Sequence, residues 1–286
     1  MNGLTIEQSV RQAAHFLKQA QVPSPTPMLD GRMIVRFVTG FTDAELIANG
    51  HDLLRDDQAR QLEDALDRRG EGEPVAYILG EKEFFGRNFT VSRNVLIPRP
   101  ESELIIEAGL RALRDKRDPV DILDLGTGSG CLLATLLCEC VGARGVGIDI
   151  SLAALRVAES NLRALSVRDR AELVCGSWTD SLGAVFDLVV INAPYVPDTD
   201  RPTLSPSVLD FEPHSALFAG NDGLHAYRML IPQLTRVLKE GGTCLFEIGG
   251  GQAPSMVSLI QQSFPGGKIT SVNDLAGIPR TIVLTV

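Results

Sequence analysis

The sequence predicts a mostly parallel α/β sheet with an antiparallel edge, preceded by a small bundle of helices. From Val120 onward, short apolar strands alternate with helical segments, which is the pattern of a doubly wound sheet. The last two strands have no helix between them, which indicates an antiparallel hairpin at one edge of the sheet. Residues 1–80 show only helical periodicity.

The N-terminal segment is predicted to contain four helices. Thr5 and Gln8 have the spacing of a capping box and precede an apolar stripe that begins at Val10. Prolines at positions 23, 25 and 27 end this helix, and the later helices are expected at residues 28–38, from residue 42 onward and at residues 56–69. We therefore expect residues 1–80 to form a helical bundle that recognises a partner or supports the rest of the chain.

A connector and a sheet domain follow the predicted bundle. Residues 81–100 indicate a hairpin around Gly86, and a helix is expected at residues 102–113. The domain at residues 101–286 is predicted to have seven strands, at residues 121–125, 144–150, 171–175, 186–191, 243–248, 268–272 and 281–286. Helices are expected at residues 131–140, after Ser151, at 224–239 and at 256–263. Residues 197–221 are expected to form a long binding loop or lid.

The composition argues against several classes of protein. The formal net charge is −9, and both the first 80 residues and the remainder are acidic, so no domain has the basic excess of a nucleic-acid-binding protein. No apolar run is long enough to span a membrane, and residues 1–10 do not resemble a signal peptide. Five cysteines without paired spacing favour a reducing compartment and no metal site. We expect a cytoplasmic monomer without direct contact to nucleic acid or membrane.

A glycine-rich turn after the first strand of the sheet predicts a nucleotide-like ligand site. The turn Gly126-Thr127-Gly128-Ser129-Gly130 follows the acidic residue Asp124 and differs from the dinucleotide-binding spacing. An acidic residue before the turn suits a cationic ligand better than a pyrophosphate. Asp149 ends the second strand, where a carboxylate can accept both hydroxyls of a ribose. Trp178 follows the third strand and could stack on adenine or simply fill the core.

A polar turn follows the fourth strand of the predicted sheet. Asn192-Ala193-Pro194-Tyr195 combines an amide, a rigid turn and an aromatic ring at a place where open α/β sheets bind ligands. These residue types suit a small planar nitrogen group. The same four residues are also common in an ordinary turn at the end of a strand.

Together the three signals look like a class I methyltransferase that uses S-adenosylmethionine and acts on a planar nitrogen. The whole chain is similar to one branch of that superfamily, the peptide-chain release factor glutamine N5-methyltransferases. Besides the glycine turn, the matching stretches are residues 73–80, 96–103, 211–213 and 274–277. The resemblance implies a Rossmann-like domain after a helical bundle, with S-adenosylmethionine as cofactor and release factors as protein substrates. The methyl group would go to the glutamine of their Gly-Gly-Gln motif.

The resemblance also implies roles for individual residues. The cofactor would contact Gly126, Thr127, Gly128, Ser129, Gly130, Asp149, Trp178 and Asn192. Asn192 Oδ1 and the carbonyl of residue 193 would accept hydrogen bonds from the substrate amide, and Tyr195 would pack against its flat face. This chain has Ala193 where the family usually has proline. Alanine keeps the carbonyl, and Pro194 favours an extended backbone before it, so Ala193→Pro is expected to be tolerated.

Three other functions share part of this pattern. An adenine N6-methyltransferase acting on nucleic acid would use the same Asn-x-Pro-Tyr chemistry, but the acidic charge of the chain argues against it. An NAD-dependent dehydrogenase fits the fold class but not the spacing of the glycine turn or Asn192. A binding module without activity is a third alternative, because Ala193 departs from the family motif.

Overall fold

A computed structural model describes residues 3–116, 119–179, 182–183 and 185–286. The first two residues of the predicted bundle therefore lie outside the described residues. The chain divides into two compact units. One comprises Met1–Glu81 and Leu204–Phe211, and the other comprises Lys82–Thr203 and Glu212–Val286.

The first unit is helical. Its N-terminal part contains α1 (Ile6–Gln19), α2 (Pro27–Thr39), α3 (Asp43–Ala48), α4 (Asp56–Gly70) and α5 (Val75–Leu79). The predicted capping box is confirmed, because Thr5 accepts from the Gln8 backbone and the Gln8 side chain accepts from Thr5 N. Leu17, Ile34 and Leu62 are fully buried in the core between these helices. The sequence prediction missed the five-residue helix α5.

The second unit opens with the predicted hairpin. Strands β1 (Glu81–Phe84) and β2 (Arg87–Thr90) form a two-stranded sheet. Phe85 and Gly86 both have positive φ angles, of 50° and 72°, as a two-residue turn of type I′ requires. A short 3₁₀ turn at Pro100–Ser102 then leads into α6 (Glu103–Leu113).

The main sheet has seven strands among the residues that the structure describes, and it confirms the predicted fold class. In chain order the strands are β3 (Asp121–Leu125), β4 (Arg144–Asp149), β5 (Ala171–Cys175), β6 (Phe186–Ile191), β7 (Leu238–Glu247), β8 (Lys268–Asn273) and β9 (Pro279–Thr285). The spatial order is β5-β4-β3-β6-β7-β9-β8. Strands β3 to β7 are parallel, whereas β9 is antiparallel to both β7 and β8. Because β4 and β6 lie on opposite sides of β3, a topological switch point forms at its carboxyl end.

Within the described residues, five further helices connect the strands. They are α7 (Cys131–Glu139), α8 (Leu152–Ala164), α9 (Pro206–Leu209), α10 (His225–Leu234) and α11 (Ala253–Ser263). The predicted Ser151 cap is confirmed, since its side chain accepts from Ala154 N. Among the described helices none is long and apolar enough to cross a bilayer.

Two predictions about the segment between β6 and β7 are wrong. The loop predicted at residues 197–221 contains α9 and two 3₁₀ turns, Asp198–Thr203 and His214–Ala216. The helix predicted to reach residue 239 ends at Leu234, where a turn follows Pro232. From Leu238 the chain pairs with Phe186, so tertiary pairing with β6 replaces the last helical turns.

Candidate active site

The glycine turn joins β3 to α7 at the switch point of the sheet. Gly126, Gly128 and Gly130 have φ angles of 77°, 54° and 76°, a region that side chains other than glycine rarely adopt. A Cβ atom on Gly130 would lie 3.1 Å from Ala158 Cβ, so this glycine also permits close packing against α8. A Cβ atom on Gly128 would approach nothing closer than Gly126 O at 3.8 Å, because Gly128 borders open space.

Asp124 supports this turn from behind. Its side chain is almost fully buried, and Oδ2 accepts a hydrogen bond of 2.7 Å from Thr127 Oγ1. Burial raises the pKa of Asp124 to about 7, from an ordinary value of 3.8. Asp124 does not line the neighbouring cavity, so it contributes through Thr127 and through its charge.

Asp149 lies beside the turn at the end of β4. One carboxylate oxygen accepts from Gly128 N at 2.9 Å, and the other accepts from Ser151 N at 2.8 Å. The carboxylate thus joins the glycine turn to the start of α8. Each oxygen keeps lone pairs that can accept hydrogen bonds from ligand hydroxyls.

A cavity of about 470 Å³ opens at this edge of the sheet. It brings together most of the predicted site residues, namely Gly126, Thr127, Gly128, Ser129, Asp149, Trp178, Asn192 and Pro194. Gly130, Ala193 and Tyr195 do not line it. Gly130 packs against α8 instead, and Ala193 is 1% exposed in the core.

Trp178 lies between the core and the cavity. The side chain is half-buried and packs against the core, and it also lines the cavity. Its φ angle of 49° is unusual for a bulky residue and belongs to a tight turn after β5. The indole therefore closes one wall of the cavity beside the carboxyl end of that strand.

A hydrogen-bonded network holds the turn after β6. Asn192 Nδ2 donates to Ser102 Oγ at 3.2 Å, and Ser102 Oγ donates to Glu247 Oε2 at 2.5 Å. The Tyr195 hydroxyl donates to the other oxygen, Glu247 Oε1, at 3.2 Å. Burial raises the pKa of Tyr195, so this hydroxyl keeps its proton.

The sequence indicated Glu247 only as a possible polar residue of the site, and it did not single out Ser102. Glu247 is 2% exposed, and burial raises its pKa to about 7. A carboxylate at the end of an otherwise apolar buried strand was the available signal, since such a group is rarely buried without partners.

A second buried carboxylate holds the segment before α6. Glu212 is 4% exposed, and its Oε2 accepts from Ile97 N at 3.1 Å while Oε1 accepts from Arg99. Pro98 and Arg99 line the cavity. Glu212 thus joins two of the matching stretches, at residues 96–103 and 211–213. This contact holds the Arg99 guanidinium beside the cavity.

Gln252 ends a Gly-Gly-Gln tripeptide in this chain and anchors the same turn. Its Nε2 donates to Tyr195 O at 2.9 Å and to Asp222 O at 3.3 Å, and its Oε1 accepts from Gly249 N at 2.8 Å. The amide is therefore engaged on both sides by the backbone of its own chain.

Known proteins resemble this chain over nearly its whole length. A family model described as the PrmC N-terminal domain matches residues 8–80, and a methyltransferase domain model matches residues 116–274. The release factor glutamine methyltransferase of Bradyrhizobium diazoefficiens is 40% identical over 282 residues, which cover 98% of this chain and 94% of that protein. The release factor glutamine methyltransferase of Caulobacter vibrioides is 39% identical over 98% of this chain and 96% of its own.

A solved structure shares the fold at low sequence identity. The hMettl16 catalytic domain, in complex with hairpin 1 of the MAT2A 3′UTR, superposes with a TM-score of 0.57 and is 15% identical. The match covers 88% of this chain and 90% of that chain. At this identity the likeness concerns the fold alone.

Proposed function

The chain belongs to the release factor glutamine methyltransferase family, and we propose that it methylates the glutamine of the Gly-Gly-Gln motif in peptide-chain release factors. The methyl group would come from S-adenosylmethionine and go to the side-chain amide nitrogen. The observation that carries the proposal is that Asn192 lines the same cavity as Asp149 and the glycine turn. An acceptor for an amide and a site for a nucleoside are thus adjacent.

The residues around the cavity fit S-adenosylmethionine. Gly128 leaves space beside the backbone where a Cβ atom would otherwise project, and Asp149 has lone pairs for ribose hydroxyls. Trp178 offers a flat apolar wall for adenine. When bound, this cofactor supplies an electrophilic methyl group on a positively charged sulfur.

Two oxygen acceptors can prepare the substrate amide for attack. An amide nitrogen is a weak nucleophile because its lone pair is delocalised into the carbonyl. Asn192, which lines the cavity, would accept one hydrogen bond from the substrate NH2 through Oδ1. The resemblance implies the Ala193 carbonyl as the second acceptor, although Ala193 itself does not line the cavity, and the two together would orient the nitrogen. They would also stabilise the positive charge that develops on nitrogen, an interaction that strengthens toward the transition state.

Release factors would be recognised through the helical unit. Helix α2 exposes Met28, Leu29 and Phe37, whose exposed fractions are 56%, 56% and 49%. Large exposed apolar side chains often take part in protein interaction sites. This surface would bind the protein substrate, and no direct contact with nucleic acid is needed.

Mass spectrometry of a release factor incubated with the enzyme and S-adenosylmethionine tests the proposal. We expect one added methyl group on the Gly-Gly-Gln glutamine, and none when that glutamine is replaced by alanine. Asn192→Ala should lower kcat by about 100-fold or more, because a transition-state contact is lost. Asn221→Ala, at an exposed position of the same unit, is the matched control.

Two results would overturn the proposed function. The first is an unmodified release factor in the presence of folded enzyme and cofactor. The second is methyl transfer to adenine in nucleic acid offered in the same assay, which would support the alternative function instead.

A further inference from the structure

Three polar side chains from distant parts of the chain form a hydrogen-bonded relay that begins at Asn192. Asn192 follows β6, Ser102 precedes α6, and Glu247 ends β7. The contacts run from Asn192 Nδ2 to Ser102 Oγ at 3.2 Å and from Ser102 Oγ to Glu247 Oε2 at 2.5 Å. Ser102 and Glu247 are each 2% exposed, so water does not compete for these bonds.

The order of donors and acceptors in the relay is determined by chemistry. Burial raises the pKa of Glu247 to about 7, so above that pH Glu247 is an ionised carboxylate, which only accepts hydrogen bonds, and a serine hydroxyl has a single hydrogen. Because Ser102 donates that hydrogen to Glu247, its oxygen can only accept from Asn192. The Asn192 amide must then present its NH2 group to Ser102. The opposite orientation would bring two oxygens together with no hydrogen between them.

We propose that Ser102 and Glu247 are positioning residues that hold the Asn192 amide with Oδ1 toward the substrate. This inference rests on the proposed function, because it assigns the Oδ1 acceptor to the amide that receives the methyl group. Without the relay, the Asn192 amide could rotate by half a turn and present a donor to the substrate NH2. A donor facing a donor would not orient the nitrogen.

Glu247 must be a carboxylate for a second reason. Its other oxygen, Oε1, accepts from the Tyr195 hydroxyl at 3.2 Å, so two hydroxyl donors converge on one side chain. A glutamine at this position would offer one acceptor and one NH2 donor. One of the two hydroxyls would lose its acceptor, and Ser102 could then turn its hydrogen toward Asn192.

Neither relay residue takes a proton from the substrate in this arrangement. Ser102 reaches the cavity wall, but Glu247 does not line it and lies behind Ser102. The buried carboxylate therefore acts through Asn192 and Tyr195 instead of contacting the reacting atoms.

The decisive variants are Glu247→Gln and Ser102→Ala, with Ser102→Thr as the conservative change that keeps the hydroxyl. Glu240→Gln is the matched control, because Glu240 is exposed on the same strand. Turnover on a release factor gives kcat and KM. Separately, ¹H–¹⁵N spectra of the full chain without cofactor report the side-chain NH2 signals of Asn192, which are assigned by their loss in Asn192→Ala.

We expect Glu247→Gln and Ser102→Ala each to lower kcat by about 10- to 100-fold, the effect of losing one oriented hydrogen bond. The KM for S-adenosylmethionine should stay within about two-fold, since the glycine turn, Asp149 and Trp178 are untouched. Both variants should shift the Asn192 NH2 signals, and Ser102→Thr should restore most of the turnover. Glu240→Gln should match the wild type in both measurements.

Unchanged Asn192 signals in a folded Ser102→Ala or Glu247→Gln variant would overturn the inference. Shifted signals with wild-type kcat would equally refute a positioning role. If the wild-type enzyme leaves release factors unmodified, the proposed function fails, while the spectra still decide whether the relay sets the orientation of Asn192.

Discussion

Asp149→Asn should weaken S-adenosylmethionine binding and also loosen the glycine turn. In the structure both carboxylate oxygens accept backbone hydrogen bonds, one from Gly128 N at 2.9 Å and one from Ser151 N at 2.8 Å. An asparagine side chain has only one oxygen, so its NH2 group would face one of these two donors. The substitution thus removes a charge-assisted hydrogen bond within the protein and reduces the acceptors available to a ribose.

The magnitude follows from the number of bonds lost. A hydrogen bond to a charged group contributes about 1.5–3 kcal/mol. Loss of one such bond to the ribose corresponds to a Kd that is about 10- to 100-fold higher. The free protein should lose only about 1 kcal/mol in its free energy of unfolding, because Asp149 is half-buried and water can replace part of the lost bond.

Isothermal titration calorimetry with S-adenosylmethionine measures the first effect, and urea unfolding without ligand measures the second. Asp169→Asn, an exposed change of the same type in the same unit, is the control and should match the wild type. Equal affinity of Asp149→Asn and wild type would remove Asp149 from the ligand site. A loss of stability alone would leave it as a residue that merely supports the turn.

Three further predictions concern polar side chains that have partners within the protein. Burial raises the pKa of Asp124 from its ordinary value of 3.8 to about 7. The stabilisation from the protonated form is therefore fully present below pH 3.8 and is lost as the pH rises through 7. The free energy of unfolding of Asp124→Asn relative to the wild type should therefore rise by up to about 4 kcal/mol as the pH rises from 3.8 to 7. A difference that stays constant with pH in urea titrations would contradict this. Asp30→Ala leaves Arg69 without its buried partner at 2.7 Å and should cost about 3–5 kcal/mol in urea unfolding. Glu7→Ala, in an exposed pair, should cost under about 1 kcal/mol, and equal losses would refute the role of burial. Gln252→Leu should lower kcat several-fold with little change in cofactor affinity by calorimetry, and wild-type turnover would show that its three backbone contacts do not matter for the site.

The features that could be predicted from the sequence are those that depend on residues close together in the chain. The glycine turn follows β3 and Asp149 ends β4, and parallel strands bring their carboxyl ends to one edge of the sheet. Gly126, Asp149 and Asn192 therefore line one cavity although their positions span much of the domain. Strand periodicity and the missing helix before the last strand were likewise sufficient for the antiparallel edge.

The features that escaped prediction depend on contacts between distant residues. Ser102 and Glu247 are separated by 145 positions, and neither has a local pattern that identifies its partner. The pairing of Arg99 with Glu212 spans 113 positions in the same way. The end of α10 was mispredicted for a related reason. The residues after Leu234 have helical spacing, but from Leu238 the chain pairs with β6 as a strand instead. Local propensity is overridden wherever such tertiary contacts contribute more.

Ala193 is where the structure changes an expectation drawn from the sequence. The sequence suggested that Ala193→Pro would be tolerated, because proline is usual in the family and keeps the carbonyl. In this chain Ala193 is 1% exposed and shares a core cluster with the fully buried Tyr227. Burial raises the pKa of Tyr227, and a hydrogen bond from the Ala193 backbone opposes that rise. The backbone N–H of residue 193 thus donates to the Tyr227 hydroxyl. Proline has no backbone N–H, so Ala193→Pro would remove this hydrogen bond.

A proline ring would also add carbon atoms to a closely packed core. Overpacking of this kind costs about 1–3 kcal/mol, so we expect Ala193→Pro to lower the free energy of unfolding by that amount in urea titrations. Turnover of the folded fraction should stay within a few-fold, because the acceptor carbonyl remains. In the Tyr227→Phe background the hydroxyl partner is already absent, and the same substitution should cost less. Identical costs in the two backgrounds would show that the hydrogen bond to Tyr227 contributes nothing, and no cost in either would show that the core around residue 193 already accommodates a proline.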